Sequence, residues 1–319
     1  RAHNIGYFFY NGGNDSADTA FKVSQVSKKL NYPINCIAIP KTVDNDLVIT
    51  DSCPGFGSAA KYIATSTLEG SLDVQSMSES STKVFILEVM GRHAGWMAAS
   101  SVLARSEHQS APHIILLPEI TFNQKRFLDE VRGCVKNEGY CVVVVSEGVK
   151  NYRGNFLAES DTKDAFGHAQ LGGVAPFISS LVSKNLKMKN HWAVADYLQR
   201  SARHIASQTD LEHAQAVGRY AVKYAVEGMN GTMPVIKRLP TKSYSWSIEP
   251  APLSKIANLE KKLPKSFMTK TGFGVTKKGV EYLQPLIKGE AKTAFKNGLP
   301  EIKKLKLELV KKKLGAWDI

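Results

Sequence analysis

Short apolar runs alternate with stretches of helical spacing along most of this chain, and no other feature restricts the fold as much. Residues 5–10, 35–39, 84–90, 113–118 and 140–146 each read as a strand, by brevity and by β-branched or aromatic content. Helical spacing follows them in residues 17–30, 59–74, 97–103 and 124–137. Further helices are expected over 174–184 and 209–228, with a strand over 232–236. Strands separated by helices assemble into parallel sheets covered on both faces. The expected fold class is therefore α/β, doubly wound, with a mainly parallel sheet. A chain of 319 residues is long enough for two such domains rather than one. Residues 150–170, polar and glycine-bearing, read as a surface excursion. From Pro250 the composition turns Lys- and Pro-rich, which reads as an extension packing over the domains.

Side chains inside the runs are assigned to the core first. Tyr7, Phe8, Phe9 and Tyr10 are expected there, and Glu88 is expected to be a paired core carboxylate. Cys36, Cys53, Cys134 and Cys141 have no CxxC spacing, so the sequence indicates neither a zinc site nor a redox pair. Four cysteines in this length fit a reducing cytoplasm. The histidines, among them His93, His113, His168, His191 and His213, lack HxxxH or HxH spacing and read as surface or satisfied core residues. No apolar run reaches the roughly 18–20 residues of a membrane span, and no signal peptide is evident. The net charge of +13 favours anionic partners. Much of it lies in the tail, where Lys303, Lys304, Lys306, Lys311, Lys312 and Lys313 stand among Ile302, Leu305, Leu307, Leu309 and Val310. That tail reads as an amphipathic helix over 292–313 with a solvated basic face. Without interleaved aromatics it is not a nucleic-acid site.

Chemistry concentrates where strands end. Pro40 stops the second strand, and Lys41, Thr42, Asp44, Asn45 and Asp46 follow on a loop at its carboxyl end, where open α/β sheets bind ligands. The first strand runs into Asn11-Gly12-Gly13-Asn14-Asp15-Ser16 and a helix. Glycines and a helix amino terminus make an anion site there, but Asp15 repels phosphate unless a cation intervenes. Arg92, in Gly91-Arg92-His93-Ala94-Gly95-Trp96, sits at a strand-to-helix turn with a guanidinium fork that matches phosphate.

Three blocks, Gly12-Gly13-Asn14-Asp15-Ser16, Pro40-Lys41-Thr42-Val43-Asp44-Asn45-Asp46 and Met90-Gly91-Arg92-His93-Ala94-Gly95-Trp96, together resemble the phosphofructokinase family, in particular its pyrophosphate-dependent branch. Tyr197-Leu198-Gln199-Arg200 looks like the family's sugar-phosphate motif, and the blocks cover about residues 4–236 in the family's order. The resemblance implies two doubly wound, mainly parallel domains of the phosphofructokinase type with a C-terminal extension. The donor domain would comprise residues 1–57 completed by about 199–249, the sugar-phosphate domain 58–198, and the extension 250–319.

The implied reaction is reversible phosphoryl transfer from pyrophosphate to the 1-hydroxyl of fructose 6-phosphate. Asp44 would take the hydroxyl proton. Arg92 would bridge the transferring group, and Gly12, Gly13, Asp15 and Lys41 would line the donor. Thr42, Val43, Met90, Gly91 and Glu147 would contact the sugar, and Tyr197 and Arg200 its 6-phosphate. Asn14 would hold Mg2+ through its amide oxygen, with Asp46 helping to hold the metal or orient the loop. Lys83 would reach a neighbouring subunit's site, which implies at least a dimer. In ATP-using relatives the positions of Asp15 and Lys41 are glycines, so both residues point to pyrophosphate. An arginine expected about nine residues before Arg200 is absent, with His191 or Lys189 as candidates in its place. The family's first phosphate loop would precede Arg1, so the chain reads as truncated and inactive by itself. The alternatives are an ATP-dependent 6-phosphofructokinase, a noncatalytic regulatory subunit, or a lipid or NAD kinase sharing the Gly-Gly-Asp turn.

Overall fold

In the computed structural model, which describes residues 1–163, 169–171 and 173–315, the alternation folds into two four-stranded sheets. The chain begins with β1 (Tyr7–Gly12), α1 (Asn14–Lys29), β2 (Asn35–Pro40), α2 (Phe56–Met77) and β3 (Val84–Val89). Then come α3 (Trp96–Ser100) with a 3-10 turn to Ala104, β4 (Ile114–Leu116), α4 (Gln124–Glu138) and β5 (Cys141–Ser146). The excursion holds an antiparallel hairpin, β6 (Glu159–Lys163) and β7 (Ala169–Leu171); His168 lies outside the described residues. Next are α5 (Val174–Leu186), β8 (Asn190–Val194), α6 (Leu198–Ser201), α7 (Gln208–Val226), β9 (Thr232–Arg238) and β10 (Trp246–Pro252). Helix α8 (Lys277–Leu283) and the hairpin β11 (Phe295–Lys296) with β12 (Leu299–Pro300) complete the order.

One sheet runs β1-β2-β9-β10, parallel except for its last strand. The other runs β4-β5-β3-β8 and is parallel throughout. Alternation along each strand feeds two cores. In the second sheet Leu87, Val89 and Val144 face α2 and α3, while Val84, Ile86, Val143 and Val145 face α4 and α5. Each such fully buried side chain contributes about 1.5–3 kcal/mol, so covering both faces stabilises the layer strongly. In the first sheet Ala38 packs against Ala17 and Ala20 of α1, and Ile37 against Ala221, Tyr224 and Ala225 of α7. Glu88 is buried as expected, but its partner is a helix rather than a cation. Its carboxylate accepts the Ala175 N–H at the start of α5 (2.8 Å).

Two expectations are corrected and one is extended. Of the aromatic run on β1 only Phe8 packs against the core, and Tyr7, Phe9 and Tyr10 do not. Tyr7 is 50% exposed and Phe9 38%, because β1 is an edge strand and α1 covers one of its faces. The extension is more than an overlay. Leu263, Phe267, Leu283 and Leu286 are buried with Phe56 and Trp96, and Trp96 meets Phe267 edge-on at 6.0 Å. The helix expected over 292–313 is absent, replaced by the β11–β12 hairpin and an exposed non-helical tail. A helix would place Leu307 on the opposite side from Ile302, Leu305 and Leu309, so it would not bring all four apolar residues onto one face. Among the described residues nothing packs against the lysine-rich segment to offset helix nucleation. Among the described residues no helix is long and apolar enough to cross a membrane.

Candidate active site at the carboxyl ends of the two sheets

Every motif singled out in the sequence except Lys83 lies at the carboxyl end of a parallel strand. In the first sheet β1 and β2 end together. The Lys41 N–H donates to the Gly12 carbonyl (3.0 Å), which sets the glycine turn beside the acidic loop. Asn14 and Asp15 open α1, where unpaired N–H groups face the same space. The Asn14 amide donates to an Asp46 carboxylate oxygen (3.4 Å), and its own Oδ1 is buried with no protein partner. A buried, unpartnered amide oxygen beside a carboxylate suits a hard cation that takes its remaining oxygens from phosphate and water.

The acidic loop is held from within and from far along the chain. Thr42 Oγ1 accepts the Asp44 N–H (3.1 Å). Asn45 adopts φ 53°, a left-handed conformation that asparagine tolerates, and is completely buried. Its Oδ1 accepts the Cys53 N–H (2.9 Å), and its Nδ2 donates to the Tyr282 hydroxyl (3.1 Å). The buried Lys261 ammonium donates to Asn45 Oδ1 (3.4 Å) and to the carbonyls of Thr50 (3.0 Å) and Asp51 (2.9 Å). With Asn45 turned inward, the alternate residues Asp44 and Asp46 are left half-buried on the other side.

The second sheet supplies the facing wall. Gly91, with φ 135°, takes a conformation that L side chains rarely adopt, and its N–H donates to Glu147 Oε1 (3.2 Å) at the end of β5. A Cβ on Gly148 would overlap the Arg92 carbonyl, so the two chain segments meet only because that residue is glycine. Gln199, the buried residue of α6, accepts the Met90 N–H (3.3 Å) and ties the Tyr197–Arg200 block to the Met90–Arg92 block. The Arg200 guanidinium stacks on the Tyr197 ring at 4.1 Å, both exposed. Lys83 stands at the opposite end of β3 from Arg92, its ammonium donating to the Ser78 and Glu79 carbonyls at the end of α2. His191, on β8, is exposed, as is Lys189 just before it. Asp15 and Lys41 are exposed too, while Arg92 and Glu147 are half-buried.

Charge joins the two walls. Burial first, then the neighbouring Asp46, pushes the Asp44 carboxyl up to about 6, against the pull of Arg92, His93 and Lys41. Burial pushes Glu147 up to about 7, its Gly91 hydrogen bond opposing and Asp44 adding to the rise. Asp46 is raised, again chiefly by burial. Among the described residues neither Lys41 nor Arg92 forms an ion pair, so both cations remain available to an anionic ligand. A carboxylate that titrates near 6 beside two uncommitted cations is equipped to take a proton from an alcohol next to a phosphate. The expected acid limb of kcat/KM therefore falls near pH 6. Arg92→Leu should move that limb to higher pH, and Glu147→Gln should leave it in place. A pH–rate profile of the three proteins checks both shifts.

The structure assembles residues that local reading did not single out. Lys261 and Tyr282 carry no motif, and only their hydrogen bonds reveal them, while Gln199 stands inside the Tyr197–Arg200 block with no role assigned until its bond to the Met90 N–H. Cys134 and Cys141 stand together with His113, contrary to the expectation from CxxC spacing. The four cysteines are all free thiols.

A phosphoryl-transfer site on two doubly wound sheets is the class that fold and geometry define. The family profile "Phosphofructokinase" matches residues 1–225, and the chain belongs to that family. It is 57% identical over its whole length to pyrophosphate–fructose 6-phosphate 1-phosphotransferase of Xanthomonas campestris, spanning 77% of that protein. It is 56% identical to the protein of the same name from Halomonas elongata, over all of this chain and 76% of the other. The crystal structure of the pyrophosphate-dependent phosphofructokinase of Nitrosospira multiformis superposes with a TM-score of 0.92 at 56% identity, over 99% of this chain and 76% of that one.

Proposed function

We propose that this protein transfers a phosphoryl group reversibly from pyrophosphate to the 1-hydroxyl of fructose 6-phosphate, yielding fructose 1,6-bisphosphate and phosphate. Relatives more than half identical over the full length of the chain bear the name of that activity, which favours it over the ATP-dependent reaction. The observation that carries the reading is Asp44, at the end of β2, raised to about 6 between Asp46 and the cations Arg92 and Lys41.

In this reading Asp44 accepts the proton of the 1-hydroxyl as its oxygen attacks phosphorus. Phosphoryl transfer passes through a loose transition state, so alignment and charge neutralisation supply most of the catalysis. Arg92 takes the transferring group and Lys41 the leaving phosphate. Thr42 and Val43, with Met90, Gly91 and Glu147, position the sugar, Glu147 accepting from its hydroxyls. Tyr197 and Arg200, held by Gln199, grip the 6-phosphate. Gly12 and Gly13 let pyrophosphate approach the backbone. Asn14, through its unpartnered Oδ1, and Asp46 would hold a divalent cation, Mg2+ in this assignment, which would supply neutralisation of phosphate charge. We assign donor binding to residues 1–57 with about 199–249, sugar-phosphate binding to 58–198, and support of both to 250–319. Lys83 is assigned to a neighbouring subunit's site, which makes the working unit at least a dimer. The four free thiols favour the cytoplasm.

Donor choice rests on Asp15 and Lys41. The Asp15 carboxylate adds volume and negative charge where a nucleotide's α-phosphate would lie. Lys41→Gly should lower pyrophosphate-dependent turnover by roughly 10²-fold, the usual scale for losing one transition-state donor. Asp15→Gly with Lys41→Gly should also admit ATP binding. Coupled assays of purified full-length protein with fructose 6-phosphate and either donor test both statements. Equal rates with ATP and pyrophosphate in the unaltered protein would overturn the donor assignment.

A further inference from the structure

Cys134, Cys141 and His113 meet on the second sheet, at the end of β5 remote from the active site. One sulfur or ring nitrogen of each lies within 4.8 Å of the others. Cys134 is in the last turns of α4, and Cys141 is the first residue of β5. Between them Gly139, with φ 83°, closes the helix with its N–H on the Val135 carbonyl (3.0 Å) and turns the chain back. That reversal brings two cysteines seven residues apart face to face, a spacing that no CxxC pattern describes. Cys134 is half-buried and Cys141 is fully buried.

We propose that Cys134 and Cys141 form a reversible thiol–disulfide pair that reacts with hydroperoxides, Cys134 as the attacking thiol and Cys141 as the resolving one. The thiol hydrogen of Cys134 rests on the Tyr140 carbonyl (3.3 Å). Contact with the Cys141 thiol pulls the Cys134 thiol below its ordinary range, while burial pushes Cys141 up. The thiolate of Cys134 attacks one oxygen of hydrogen peroxide. The O–O bond breaks, hydroxide departs and takes up a proton as water, and Cys134 becomes a sulfenic acid. Cys141 then loses its proton and attacks that sulfur. The S–O bond breaks, a second water leaves, and the S–S bond forms. Overall, two thiols and one peroxide give one disulfide and two waters, and a dithiol reductant reverses the change. The same three side chains are less suited to a soft cation, because both nitrogens of His113 already have partners. Nδ1 accepts the Val142 N–H (2.9 Å), and Nε2 is 3.1 Å from Ser110 Oγ.

The test treats purified, reduced full-length protein with hydrogen peroxide, followed by thiol alkylation and peptide mass spectrometry. The expected result is loss of the Cys134 and Cys141 thiols together as one linked peptide pair, restored by dithiothreitol. Cys36 and Cys53, both buried, should remain alkylatable after unfolding. Cys141→Ser should stop the reaction at a sulfenic acid on Cys134 that dimedone traps, and Cys134→Ser should leave Cys141 unoxidised. Oxidation of Cys134 no faster than of Cys36, or its passage to sulfinic acid without a linked pair, would overturn the proposal. So would a stoichiometric zinc ion that co-purifies and shields both thiols, which would assign the cluster to metal binding.

Discussion

Replacing Asp44 with serine is expected to lower turnover by roughly 10²–10⁴-fold while leaving the affinity for fructose 6-phosphate nearly unchanged. The size follows from the role. A general base contributes in the transition state, whereas in the proposed assignment Arg200, Tyr197 and Glu147 would hold the sugar before and after the proton moves. Turnover kinetics and equilibrium binding of the sugar phosphate, measured separately, make the distinction. An unchanged kcat would remove Asp44 from the chemistry, and an equal loss in both would make it a binding residue. Asp44→Asn carries a second, independent expectation. A carboxyl whose folded pKa is about 6, against about 4 when unfolded, is harder to ionise in the folded chain. Its charge therefore costs stability. The cost is absent below about pH 4, grows as pH rises through 6, and reaches on the order of 2–3 kcal/mol above that. The amide variant should be more stable than the parent at pH 7.5 in denaturant titrations, and the two should converge at pH 4. A site that holds a base ready for a proton is thus expected to be less stable than one that does not.

What local sequence could disclose, and what it could not, divides along physical lines. Strands buried on both faces, such as β3 and β5, announce themselves as unbroken apolar runs. The acidic loop was legible because Pro40 ends β2 at the rim where parallel sheets bind ligands. β8 and β10 were not legible, and both are edge strands. β8 reads Asn-His-Trp-Ala-Val with much of it exposed, and β10 carries Pro250 and Pro252, which an edge strand accommodates because one side needs no donor. The support of the acidic loop was hidden for another reason. Asn45 bonds Lys261 and Tyr282 across 216 and 237 residues, and periodicity within a short window carries no information over such separations. Lys261 stands next to Lys262 in a lysine-rich stretch, where an ammonium is ordinarily solvated. Only the fold marks it as buried.

That burial makes Lys261→Met the second substitution with a large expected effect, and the effect should fall on activity more than on stability. Burial opposes the ammonium's charge, so removing it relieves a desolvation cost as well as breaking hydrogen bonds. Two of its three acceptors keep other partners. Asn45 Oδ1 still receives the Cys53 N–H, and the Asp51 carbonyl still receives the Tyr282 hydroxyl. The Thr50 carbonyl loses its ammonium donor, so the net loss of stability is expected to be about 1–3 kcal/mol. The geometric loss is larger. Lys261 also fixes the loop through its backbone, whose N–H donates to the Asp46 carbonyl (2.6 Å), and a side chain no longer drawn toward Thr50 and Asp51 loosens that grip. Displacing Asp44 by an ångström relative to Arg92 costs on the order of 10²-fold in kcat. Full-length Lys261→Met is therefore expected to remain folded at 25 °C and to bind fructose 6-phosphate, yet to turn over about a hundredfold more slowly. Tyr282→Phe should weaken turnover less, because Lys261 continues to hold Asn45. Adding it to Lys261→Met should cost less than the sum, since both act on that one asparagine. Full activity in a destabilised Lys261→Met would show that the lysine supports the fold without positioning the base.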